Sequence, residues 1–138
     1  MYRNTWMEVD LDAISENVKT IRNICGKKVI AVLKADAYGC GDMEVARAVL
    51  KAGAEMIAVS SLDEALMLRN KGCQAEILIL GPVNPKHVEM LRRFNLAAAA
   101  YSEEWVEKAI QNGVEGIKIH MALDTAMNRI GFKKIETM

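Results

Sequence analysis

The sequence predicts an α/β fold built on a parallel sheet, and three observations carry that expectation. Apolar runs end at residues 33, 59, 80, 100 and 123, a recurrence of twenty-odd residues. Between them lie stretches with helical spacing of apolar residues, the kind of crossover that joins parallel strands. The runs are continuous rather than strictly alternating, which suits strands covered on both faces.

Each element has its own signals. Residues 12–25 carry Ile14, Val18, Ile21 and Ile24 at helical spacing, behind Asp10 or Asp12 as caps. Ahead of them, Trp6 is followed by Glu8 and Asp10 alternating with Val9 and Leu11, which suggests a short strand. Residues 29–34 are the first strand of the repeating pattern. A helix over 42–52 follows, with Val45, Ala46, Val49 and Leu50 on one face and Gly53 as its stop. Residues 56–59 form a strand, 62–71 a helix closed by Gly72, and 77–80 a strand. After Gly81 and Pro82 a helix begins near Pro85. Residues 96–100 are a weaker strand, Ser102-Glu103-Glu104 opens the next helix, and 117–123 is a fifth strand. Strands so connected form right-handed βαβ units.

Two architectures fit: a complete five-stranded doubly wound domain, or the first part of an eight-stranded βα barrel, which needs roughly 250 residues. Periodicity alone does not choose. Residues 133–138 read as the opening of another helix, so a truncated chain is expected.

The composition is that of an ordinary globular domain: 138 residues, 51% hydrophobic, with 18 basic and 18 acidic residues in balance. Zero net charge gives no electrostatic reason to expect nucleic acid or an anionic membrane as partner. No apolar stretch is long enough to span a bilayer, and the N-terminus lacks the apolar core of a secretory signal. A cytoplasmic location is the default expectation. Cys25, Cys40 and Cys73 match neither a disulfide framework nor a zinc spacing, so reduced thiols are expected.

Three segments offer chemistry. Lys34 closes an apolar run, at the strand end where α/β enzymes collect functional groups. A desolvated lysine suits Schiff-base or general-base work, whereas a snorkelling strand-end lysine explains the placement equally well. Tyr38 with Gly39-Cys40-Gly41 offers a hydroxyl and open backbone amides to an anion, or is a plain turn. Asp124 and Arg129 follow the fifth strand; Arg129 is either a fork for an anionic group or a solvated charge. His87 reads as a surface residue and His120 as a satisfied interior one.

Together these segments resemble the N-terminal part of alanine racemases, pyridoxal-phosphate enzymes of fold type III. Residues 6–14 resemble the family's W-x-E-V-D-L-D-A-I start, residues 32–41 its V-x-K-A-D-A-Y-G-H-G lysine signature, and residues 124–132 its D-T-G-M-x-R-L-G-F segment. The similarity runs through nearly all of the chain. It implies a parallel βα barrel of the TIM-barrel type, incomplete, with about five βα units over residues 1–138. A mostly β C-terminal domain would lie outside this chain. It further implies pyridoxal 5'-phosphate as cofactor, bound to Lys34 as a Schiff base, with Lys34 then one of two bases at the substrate's Cα. Tyr38 would hydrogen-bond the cofactor phosphate. Arg129 would contact the cofactor's phenolic oxygen and the substrate carboxylate. The implied activity is interconversion of L- and D-alanine for peptidoglycan, by a homodimer acting on a small amino acid.

The sequence departs from the pattern at three places. Cys40 replaces the signature's histidine, Ala126 a glycine, and Ala122 the carbamate-forming lysine that orients the equivalent of Arg129 in many members. The family's second base, a tyrosine, has no counterpart here, nor has the arginine facing the pyridine nitrogen. A serine or broad-specificity racemase, and a non-catalytic doubly wound ligand-binding domain, are the competing readings.

Overall fold

The computed structural model describes residues 4–133. Its strands are β1 (Ile30–Val32), β2 (Met56–Val59), β3 (Glu76–Ile79), β4 (Leu96–Ala100) and β5 (Lys118–Met121). Around them run α1 (Leu11–Cys25), a short turn α2 (Lys34–Tyr38), α3 (Asp42–Lys51), α4 (Leu62–Asn70), α5 (Val88–Arg93) and α6 (Glu103–Gln111). A 3-10 turn at Pro85–His87 leads into α5.

All five strands pair in parallel, in the spatial order β1-β2-β3-β4-β5. A doubly wound sheet reverses its strand order at a switch point. Here every strand adds on the same side of its predecessor, so right-handed crossovers gather the helices on one face. The doubly wound reading is therefore corrected: the sheet is an open, barrel-type array.

The core follows from that topology. On the outer face Ile57, Val59, Ile77, Ile79 and Ala98 pack with helical residues such as Val49, Leu68, Leu91 and Trp105. The inner face carries its own cluster of Ala58, Leu78 and Ala97, with Met56 and Leu80 against it. Strand register puts Ile30, Val32, Glu76, Lys118 and His120 on this inner face too.

Local chemistry sets the helix starts. The Asp10 carboxylate accepts from the amides of Asp12 and Ala13, both at 2.9 Å. Ser61 and Ser102 cap α4 and α6 in the same way. The buried Trp105 donates its indole N–H to the Val83 carbonyl at 2.7 Å, fastening α6 to the loop after β3.

Four local expectations change. No strand forms over residues 4–10, because an extended segment needs a hydrogen-bonding neighbour and none of the five strands supplies one; Trp6 donates to Glu8 instead. On α1 only Val18 is buried, while Ile21 and Ile24 are 52% and 81% exposed, since the helix touches its neighbours along a narrow stripe. His120 is exposed rather than interior, because no element of the described residues covers the inner face of β5. β1 stops at Val32, so Lys34 lies beyond the strand. The helix expected to open at residues 133–138 falls almost wholly outside the described residues.

Candidate active site

The backbone after β1 takes an unusual course. Leu33 is buried, and its amide donates to the Ala58 carbonyl at 2.8 Å, the last link to β2. From Ala35 through Tyr38, four consecutive non-glycine residues then stand at φ between 52° and 58°. Left-handed backbone costs an L-residue roughly 1–2 kcal/mol, so this turn persists only because its surroundings hold it. Internally, the Ala37 amide donates to Leu33 and the Gly39 amide to Ala35, both at 3.0 Å. The Asp36 carboxylate accepts from the Asp42 amide at 2.8 Å. Asp42 is itself buried and paired with Lys71 at 2.6 Å.

The turn sets two candidate groups side by side. The half-buried Lys34 ammonium lies 5.8 Å from the centroid of the Tyr38 ring, within cation–π range. Tyr38 is 65% exposed. Among the described residues Lys34 makes no salt bridge, and the Tyr38 hydroxyl makes no hydrogen bond. A primary amine left without a carboxylate can act as a nucleophile toward a carbonyl, and the phenol beside it can donate to an anion.

The exit of β2 is tied to the same turn. Glu64, in the first turn of α4, accepts from the Ala35 amide through Oε1 at 2.7 Å. Through Oε2 it accepts from the Ser60 amide and hydroxyl, each at 2.7 Å. Burial alone would raise the Glu64 carboxyl, but these hydrogen bonds outweigh it and hold the group below the usual carboxylate range. β3 leaves close by: a Cβ on Gly81 would sit 2.2 Å from the Ser60 carbonyl oxygen, so the two exits approach too closely for a side chain.

At the other edge of the sheet, residues 122–132 form a pinched loop. The Asp124 amide donates to the Phe132 carbonyl at 2.9 Å, and the Phe132 amide donates to the Ala122 carbonyl at 2.8 Å. The Asp124 carboxylate accepts from the Asn128 amide at 2.9 Å, so it organises the loop and does not pair with Arg129. Arg129 is exposed. Lys34 and Arg129 thus share the C-terminal rim but leave opposite edge strands, roughly 19 Å apart along the sheet at the usual strand spacing. The described structure places Lys34 with Tyr38 and does not bring Arg129 to them.

Other features lie apart from this cluster. Cys40 is half-buried and packs against the core. A groove of about 510 Å³ runs between α1 and α3, and a second hollow, about 620 Å³, lies between Pro82–Lys86 and α6. Neither is lined by Lys34, Tyr38 or Arg129. Glu64 is the residue that reading the sequence missed. Its one local signal is the spacing Ser61-x-x-Glu64, which announces a helix start and says nothing of Ala35.

With this geometry in place, known proteins offer close parallels. A family model described as "Alanine racemase, N-terminal domain" matches residues 9–138. Alanine racemase 1 of Bacillus subtilis (strain 168) is 46% identical, the match covering 98% of this chain and 36% of the relative. The crystal structure of alanine racemase from Bacillus anthracis with bound L-Ala-P superposes with a TM-score of 0.87 at 40% identity, covering 97% of this chain and 36% of that one. Histidine racemase from Leuconostoc mesenteroides subsp. sake superposes at 0.85 with 34% identity, covering 92% and 35%. The chain spans little more than a third of the length of these relatives.

Proposed function

The chain belongs to the alanine racemase N-terminal domain family, and on that premise we propose that it is the cofactor-bearing barrel portion of a pyridoxal-phosphate-dependent racemase that interconverts L- and D-alanine. One observation carries the reading: the left-handed turn after β1 presents the Lys34 amine over the Tyr38 ring, without an ion partner among the described residues.

Lys34 would hold the cofactor through its amine, and the same amine would take or return the proton at the substrate's Cα. The Tyr38 hydroxyl donates to a phosphate oxygen. Arg129, on the far side of the rim, would contact the cofactor's phenolic oxygen and steady the substrate carboxylate. When bound, pyridoxal phosphate supplies an electron sink that makes the Cα–H acidic. The setting proposed for the whole protein is a cytoplasmic homodimer that supplies D-alanine for peptidoglycan. Among the described residues, no helix is long and apolar enough to cross a membrane.

The test is covalent capture. The chain is incubated with pyridoxal phosphate, reduced with borohydride, and the modified residue mapped by mass spectrometry. The adduct is expected on Lys34 and absent in Lys34→Ala. An adduct scattered over surface lysines and unchanged by that substitution would refute the assignment.

A second reading concerns the substrate. A racemase named for histidine shares this fold portion as well as several alanine racemases do, and Ala122 and Ala126 depart from the family pattern beside Arg129. Following the chirality of a panel of L-amino acids with the full-length protein separates alanine from the alternatives.

A further inference from the structure

We propose that Glu64 is a positioning residue for Lys34: its carboxylate pins the peptide that follows Lys34 to the exit of β2, and so fixes where the lysine amine stands on the rim. The inference rests on the cofactor reading above and extends it to a residue which makes no contact with the reacting atoms.

Three donors converge on this one side chain: the Ala35 amide on Oε1, and the Ser60 amide and hydroxyl on Oε2, each at 2.7 Å. Ala35 lies 29 residues away in sequence, so the contact belongs to the tertiary fold. An ionised carboxylate is the side chain that meets this demand, because it accepts at both oxygens and donates nothing. The pinned amide is the first of the left-handed turn. Four left-handed residues together cost roughly 4–8 kcal/mol, so an unpinned turn has a strong drive to relax. Relaxation would part Lys34 from Tyr38.

The bland alternative is a helix cap. Ser61-Leu62-Asp63-Glu64 matches a capping box, and the Ser61 hydroxyl accepts from the Glu64 amide at 3.2 Å. The two roles separate on one substitution. Glutamine serves a capping box as well as glutamate, but its single acceptor oxygen does not satisfy both Ala35 and Ser60, and its NH₂ faces a donor. Glu64→Asp keeps the charge and an acceptor-only carboxylate while losing one methylene of reach.

The experiment compares wild type, Glu64→Gln, Glu64→Asp and Lys34→Ala. Helix content is followed by far-UV circular dichroism, Ala35 amide exchange by NMR, and pyridoxal-phosphate affinity by the visible band of the lysine-bound cofactor. Both Glu64 variants should keep wild-type helix content, expose the Ala35 amide, and weaken capture by about tenfold or more, the effect of losing a hydrogen bond to a charged group. Glu64→Asp carries the test if Glu64→Gln does not fold. Wild-type protection of Ala35 and wild-type affinity in a folded variant would leave only the cap and overturn the proposal. A wild-type chain that takes up no cofactor at Lys34 overturns the parent reading, and this role with it. Uptake by wild type matched by the variants overturns this role alone.

Discussion

Ala126 stands at φ 88°, where glycine is favoured and a Cβ is strained. It is also a position at which the sequence departs from the family's glycine. The surrounding loop leaves little freedom to relax, since a Cβ on nearby Gly131 would come within 2.7 Å of the Asp124 amide. Ala126→Gly trades local strain for a more flexible unfolded chain, and the strain is the larger of the two. The variant should gain roughly 0.5–1 kcal/mol in urea unfolding; a loss would show that the loop has adapted to alanine. Lys34, Tyr38 and Arg129 stand out as candidates in the sequence. Their geometry does not, because the left-handed turn is held by Asp36–Asp42 and Glu64–Ala35 contacts that no short window contains.

Among the elements, α4 is fastened through Arg69. Its guanidinium donates to the carbonyls of Cys73 and Ala75 at 2.8 Å, Phe94 at 2.9 Å and Asn95 at 3.0 Å. One side chain thus serves four acceptors at the starts of β3 and β4. Arg69→Ala should cost roughly 2–4 kcal/mol in chemical denaturation, because the part-buried carbonyls lose a charged donor. Arg69→Lys should recover little, since a point ammonium lacks the fork. A loss under 0.5 kcal/mol on the same scale would mean that water replaces these bonds freely. The helices were readable ahead of the structure because their signals are local. Asp10 caps α1 and Ser102 caps α6 as expected, and the 96–100 strand is recovered residue for residue. β1 was overextended because Leu33 continues the apolar run that Lys34 closes, while the residue pairing with β2 stops at Val32.

Across the whole molecule, several carboxylates are tied to the folded state. Beside the Glu64 network, the Lys118 ammonium holds Glu76 below the usual carboxylate range across the inner face, and Lys108 does the same to Glu104 on α6. A carboxyl with a depressed folded pKa contributes stability above its unfolded value and loses it as pH falls through the folded one. The melting temperature should therefore fall progressively from about pH 4.3 downward. The fall should be shallower in Glu64→Gln than in wild type. A melting temperature unchanged over that interval would mean the same groups are equally tied in the unfolded chain.

The sequence by itself determined the kinds of element, their order, the caps that start them and the lysine segment that marks the family, because each is encoded within a few turns of chain. Only the tertiary structure decided the strand order that separates a barrel-type sheet from a doubly wound one. It alone decided that Lys34 stands beyond the strand on a left-handed turn, and that a glutamate 29 residues from Ala35 closes that turn. Those features depend on which exits come together on one rim, a non-local outcome of packing to which short-range patterns are blind.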